Sequence, residues 1–90
     1  MKTWEEVRAE LHLTKEDECA IELEKELLRT MAEAREKAGF TQSQLAELCG
    51  VKQPLIARME SGTHSPQVDS LLKVLIPLGY KLKIVPIDET

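Results

Sequence analysis

Apolar residues recur at helical spacing through most of the chain and alternate only near its end. Leu23, Leu27, Met31, Ala34 and Ala38 keep a beat of about four, and Ile21 and Leu28 widen that face. Thr14 to Asp17 supplies a start signal, with an acid three places after a capping hydroxyl, and Gly39 a left-handed stop, so one long helix is predicted over 14–38. Thr41-Gln42-Ser43-Gln44 opens a second helix whose buried face is Leu45, Ala46 and Leu48 and which ends at Gly50, with Val51 plugging the turn. The next runs from Gln53 to Ser61: Pro54 sits in the first turn, Ile56 and Met59 point inward, and Gly62 closes it. Ser65-Pro66 then reads as N-cap and first helical residue of a helix buried through Leu71, Leu72 and Leu75, which Pro77 stops near Ile76.

The two ends differ from this middle. Thr3 to Glu6 reads as a further capping box, opening a short helix to about Leu11 whose Trp4, Val7 and Leu11 make a narrow apolar stripe. A helix that short is marginal in water, so it needs its own domain or another protein to pack on. Tyr80-Lys81-Leu82-Lys83-Ile84 alternates with period two, which predicts a strand, and Pro86 suits its edge or end. One strand has no partner in its own chain. Pairing with its copy across a two-fold axis is the most economical solution, so a homodimer joined through Tyr80, Leu82 and Ile84 is expected.

Ninety residues make one small domain, too little chain for a two-domain enzyme. Only Trp4, Phe40 and Tyr80 are aromatic, which leaves an aliphatic core and little from which to build base-stacking platforms. The net charge of −4 argues against a general polyanion binder. The average hides a split, however. Residues 1–38 hold seven Lys or Arg against eleven Asp or Glu, whereas 39–90 are balanced at five against five. One end is thus suited to a basic partner and the other able to approach an anion. Cys19 and Cys49 are too far apart for a CxxC motif, no basic-plus-apolar leader opens the chain, and no apolar run approaches the roughly 20 residues of a membrane span. A reduced cytoplasm is the expected setting, with no membrane and no small-molecule substrate.

Two short helices joined at Gly50-Val51, flanked by longer ones, have the spacing of a DNA-binding helix-turn-helix. On the second helix Gln53, Pro54, Leu55, Ala57 and Arg58 surround the inward Ile56. Gln pairs bidentately with adenine and Arg with guanine, and Pro54 or Leu55 can meet a thymine methyl, so Gln53, Pro54, Leu55 and Arg58 are the candidate base contacts. Gln42, Gln44, Lys52, Ser61, Thr63 and His64 are the candidate phosphate contacts, lying at a helix N-terminus or in the turn after the recognition helix. Lys52 is a poor N-cap because an ammonium cannot accept the capping hydrogen bond. Near-neutral charge implies weak binding by one subunit, so a dimer on a palindrome, with half-sites roughly 34 to 36 Å apart, is needed for specific affinity.

From about Glu33 to Gly79 the run resembles the Cro and lambdoid-repressor (Xre) class of helix-turn-helix domains, with Arg35, Gly39, Gln44-Leu45-Ala46, Gly50-Val51, Ile56, Arg58, Glu60, Gly62, Ser65-Pro66 and Leu78-Gly79 in register. The opening WEEVRAEL, the segment QPLIARMESG and the ending LGYKLKIVPI are similar to one branch of it, the HigA-like antitoxins. The resemblance implies an all-α, five-helix lambda-repressor-like domain with an N-terminal helical extension and a C-terminal dimerisation β-strand. It divides the chain into an acidic toxin-binding region (1–30), the helix-turn-helix (31–79) and a dimerising strand and tail (80–90). It also implies base contacts at Gln53, Pro54 and Arg58, a serine in place of Lys52, and a buried Arg35–Glu60 ion pair. The implied activity is neutralisation of a HigB or RelE-like mRNA-cleaving toxin together with repression of its own operon at a palindromic operator.

Blander readings stand beside these. The acidic opening, with Trp4, Val7, Arg8 and Leu11 as its candidate partner-binding residues, either grips a toxin or packs as a solvated helix on its own dimer. His12 and His64 are remote from each other and from other ligands, so neither a metal site nor a cofactor is expected. His64 is a phosphate contact or a surface residue; Cys49 reads as a small core filler and Cys19 as a half-exposed thiol. No residues form a catalytic constellation. The alternatives are a stand-alone Xre-type repressor without a toxin and a protein-interaction module that keeps the fold but not DNA affinity.

Overall fold

The computed structural model describes residues 3, 6, 14–63 and 65–87. Among them are four helices: α1 (Lys15–Lys37), α2 (Gln42–Cys49), α3 (Gln53–Ser61) and α4 (Val68–Leu75). Four helices are found among the described residues where five are expected; the expected fifth is the opening helix. Its capping box is in place, with the Glu6 amide donating to Thr3 Oγ1 and the Thr3 amide to the Glu6 carboxylate, each at 3.2 Å. The rest of that stretch, with Trp4, Val7, Arg8 and Leu11, lies outside the described residues, as does His64.

Local signals set the helix ends. Thr14 and Asp17 cap α1 reciprocally, and Thr41 and Gln44 do the same for α2. At the end of α2 the Val51 amide reaches back to Ala46 O and the Gly50 amide to Glu47 O. This paired closure needs a left-handed residue, and Gly50 takes it with φ 70°. The same pattern ends α1, where Phe40 donates to Arg35 O and Gly39 to Glu36 O.

α3 lies at the centre, packed on α1 and α2, and α4 closes the other side of α2. The core is aliphatic: Met31, Leu45, Ile56, Met59 and Val74 are fully buried, with Leu28, Ala46, Leu71 and Leu75 around them. Such side chains each stabilise the fold by roughly 1.5 to 3 kcal/mol.

Several expected core positions are corrected. Leu23 and Leu48 are more than half exposed, Ala38 is exposed and Leu72 is only half-buried, whereas Val74 is fully buried. Leu23 keeps the period of α1, but the first buried residue of that helix is Leu28. Ser65 is not the cap of α4. Gln67 holds that position without a side-chain hydrogen bond, and Ser65 Oγ instead donates to Glu24 at 2.8 Å.

The strand expected over 80–84 does not form. Residues 80–86 carry no regular secondary structure, and after the Tyr80 amide, which donates to Leu75 O, no backbone hydrogen bond ties 81–87 to the other described residues. A ladder needs a second edge, and no described segment offers one. Tyr80, Leu82 and Ile84 are all exposed, Ile84 completely.

Candidate nucleic-acid interface

The site begins with an ion pair. Arg35 on α1 grips Glu60 on α3 through Nε to Oε2 at 2.5 Å and Nη2 to Oε1 at 3.0 Å, a two-point contact that fixes both planes. Its Nη1 also donates to Phe40 O at 2.6 Å, tying in the connection between α1 and α2. Both side chains are only about a tenth exposed, at 12% and 11%. The hydrogen bonds that Arg35 donates to Glu60 raise its pKa still further. Burial alone pushes the Glu60 carboxyl upward, but hydrogen bonds from Arg35 and Gln42 and the charge of Arg35 outweigh it and hold the group below its ordinary value.

From that pair a chain of amides runs to the recognition helix. Gln42 Nε2 donates to Glu60 Oε1 at 3.1 Å, and Gln53 Nε2 donates to Gln42 Oε1 at 2.8 Å. Gln53, first residue of α3, is therefore half-buried and held in one orientation. Its Oε1 and its second amide hydrogen stay unused, which is the donor-and-acceptor pair an adenine edge requires. Periodicity gives no sign of this arrangement; the only hint in the sequence is the recurrence of Gln at the starts of both helices of the motif.

Further along α3, Arg58 is exposed and donates only its Nε, to Pro54 O at 3.3 Å, so both terminal amino groups are without a partner among the described residues. Pro54 is exposed beside it. Leu55 is half-buried and packed against the core, lining a cleft of about 240 Å³ with Arg58, Pro66 and Gln67.

The expected phosphate contacts divide in the same way. Lys52 is exposed and makes no capping hydrogen bond, and its ammonium has no partner among the described residues. Gln42 is engaged at both ends of its amide, and Gln44 Oε1 accepts from the Thr41 amide, leaving only Gln44 Nε2 to donate outward. In the turn after α3, Ser61 Oγ donates to Arg58 O and lies 3.0 Å from Thr63 Oγ1, so the proton between the two hydroxyls comes from Thr63. Both hydroxyl protons are consumed inside the turn. Burial pushes the half-buried Cys49 thiol up, in keeping with a filler and not a nucleophile. Among the described residues no three His, Cys, Asp or Glu side chains gather as metal ligands, and no helix is long and apolar enough to cross a membrane.

A short capped helix, a left-handed glycine turn and a second helix presenting a fixed glutamine and a free arginine define a helix-turn-helix domain. A helix-turn-helix family model matches residues 31–85, and the chain belongs to that family. It is 49% identical over 61 residues to an uncharacterised HTH-type transcriptional regulator of Haemophilus influenzae, a match covering 68% of this chain and 62% of that relative. The chain thus spans less than two thirds of that relative's length. It is also similar to a solved structure of a toxin-antitoxin module from Streptococcus pneumoniae, with a TM-score of 0.70 and 43% identity over 98% of this chain and 96% of that one.

Proposed function

We propose that the protein is a HigA-like antitoxin and autorepressor, acting in the cytoplasm as a homodimer. It binds a palindromic operator through Gln53, Pro54 and Arg58 and a RelE-fold mRNA-cleaving toxin through its acidic N-terminal region. The observation that carries the DNA half is the Gln53 amide held by Gln42, beside an Arg58 whose amino groups have no partner among the described residues. Likeness to the toxin-antitoxin module along nearly the whole chain supports the toxin half. So does the charge of α1: residues 15–27 hold six acids and two lysines. The match to the Haemophilus regulator favours a second reading, repression without a toxin. Co-expression with a small basic protein encoded beside the gene separates the two: a stable complex supports the antitoxin, and no complex leaves the repressor.

Arg58→Ala is expected to cost about 1 to 3 kcal/mol on the operator and to relax base preference, while Lys52→Ala weakens all duplexes alike. Fluorescence anisotropy on operator and scrambled DNA checks both. Equal loss on the two duplexes by Arg58→Ala sinks the assignment.

A further inference from the structure

The turn after the recognition helix has used its hydroxyl protons internally, and the Gly62 amide donates to Met59 O. Beside that turn lies an open groove of about 550 Å³ whose opposite wall is α1. Lys25 and Arg29, one helical turn apart, line it together with Ser61 and Gly62. Both cations are exposed, and neither has an ion-pair or hydrogen-bond partner among the described residues. Two carboxylates share the groove: Glu60 is offset by Arg35, while Glu24 accepts from the neutral Ser65 hydroxyl and offsets only one of the two cations. The free positive charge beside the turn therefore comes from the long helix and not from the turn.

On the DNA-binding reading above, on which this inference rests, we infer that Lys25 and Arg29 each hold a DNA backbone phosphate beside the turn after the recognition helix, extending the footprint onto α1. This pairing is blind to sequence. It also explains how a chain of net charge −4 with a near-neutral recognition motif approaches a polyanion: the two cations are placed on one face of an otherwise acidic helix.

The test is the salt dependence of operator binding by the full-length protein, followed by anisotropy for wild type, Lys25→Ala, Arg29→Ala and Lys15→Ala. Lys15, at the far end of α1, controls for net charge. The logarithmic slope against salt is expected to flatten by about 0.9 for each phosphate contact removed. Lys25→Ala and Arg29→Ala should show this, with equal loss on operator and scrambled DNA, while Lys15→Ala keeps the wild-type slope. Glu24→Gln, which removes a negative charge from the groove, should tighten binding to both duplexes. Unchanged slopes for Lys25→Ala and Arg29→Ala, or an equal change for Lys15→Ala, overturn the inference while leaving the DNA reading intact. A wild-type protein that binds neither duplex overturns both.

Discussion

At the scale of single residues, Glu60 does two tasks: it ties α1 to α3 and it receives the amide that orients Gln53 through Gln42. Its carboxyl is held below its ordinary value, so the stabilisation it gives is complete above the unfolded pKa of roughly 4.3 and is lost as pH falls through the lower folded value. Urea titrations across that acid window should show a pH-dependent component that Glu60→Gln removes. Arg35→Ala leaves a largely buried carboxylate uncompensated and should cost about 3 kcal/mol at neutral pH. Gln42→Ala belongs at the same scale. The fold should survive, while discrimination at the base read by Gln53 falls by about 1 kcal/mol, measured with single-base operator variants; undiminished discrimination would show that Gln53 does not need its neighbour.

At the scale of elements, what was legible in the sequence was local. The Thr14–Asp17 and Thr41–Gln44 boxes and the Gly50 turn close within a few residues, so residue type and spacing suffice to place them. What failed depended on distant partners. Ser65 has the right chemistry for a cap but is taken by Glu24, 41 residues earlier. Leu48 and Leu23 keep helical period, yet nothing described covers them. The Arg35–Glu60 pair was implied by resemblance alone, and its extension through Gln42 to Gln53 was not read at all. One local misfit was legible and held: Lys52 leaves α3 without a cap. Lys52→Ser should therefore raise stability by about 1 kcal/mol in thermal or urea melts while weakening DNA binding on every sequence. A variant that gains stability without losing affinity would remove Lys52 from the phosphate contacts.

At the scale of the whole molecule, apolar surface is left uncovered along and after α4. Val68 and Ile76 on and just after α4 are each 63% exposed, and the tail adds Tyr80, Leu82 and Ile87. Singly such residues are ordinary, but a run of them after a buried helix suits the apolar seam of a two-fold dimer. Ile76→Glu or Leu82→Glu should shift the protein toward monomer in analytical ultracentrifugation and weaken the operator far more than an isolated half-site. An unchanged dimer would place the seam elsewhere.

On the proposed DNA-binding function, the linked glutamines restrict how the domain can be retargeted. Exchanging Gln53 alone for another base-reading side chain strands the carbonyl of Gln42, and exchanging Gln42 alone releases the amide it steadies. A new operator letter is therefore reached most easily by changing both positions together, so descendants that drift to different promoters should carry paired replacements there, and libraries built to reprogram the domain should randomise the two sites as one.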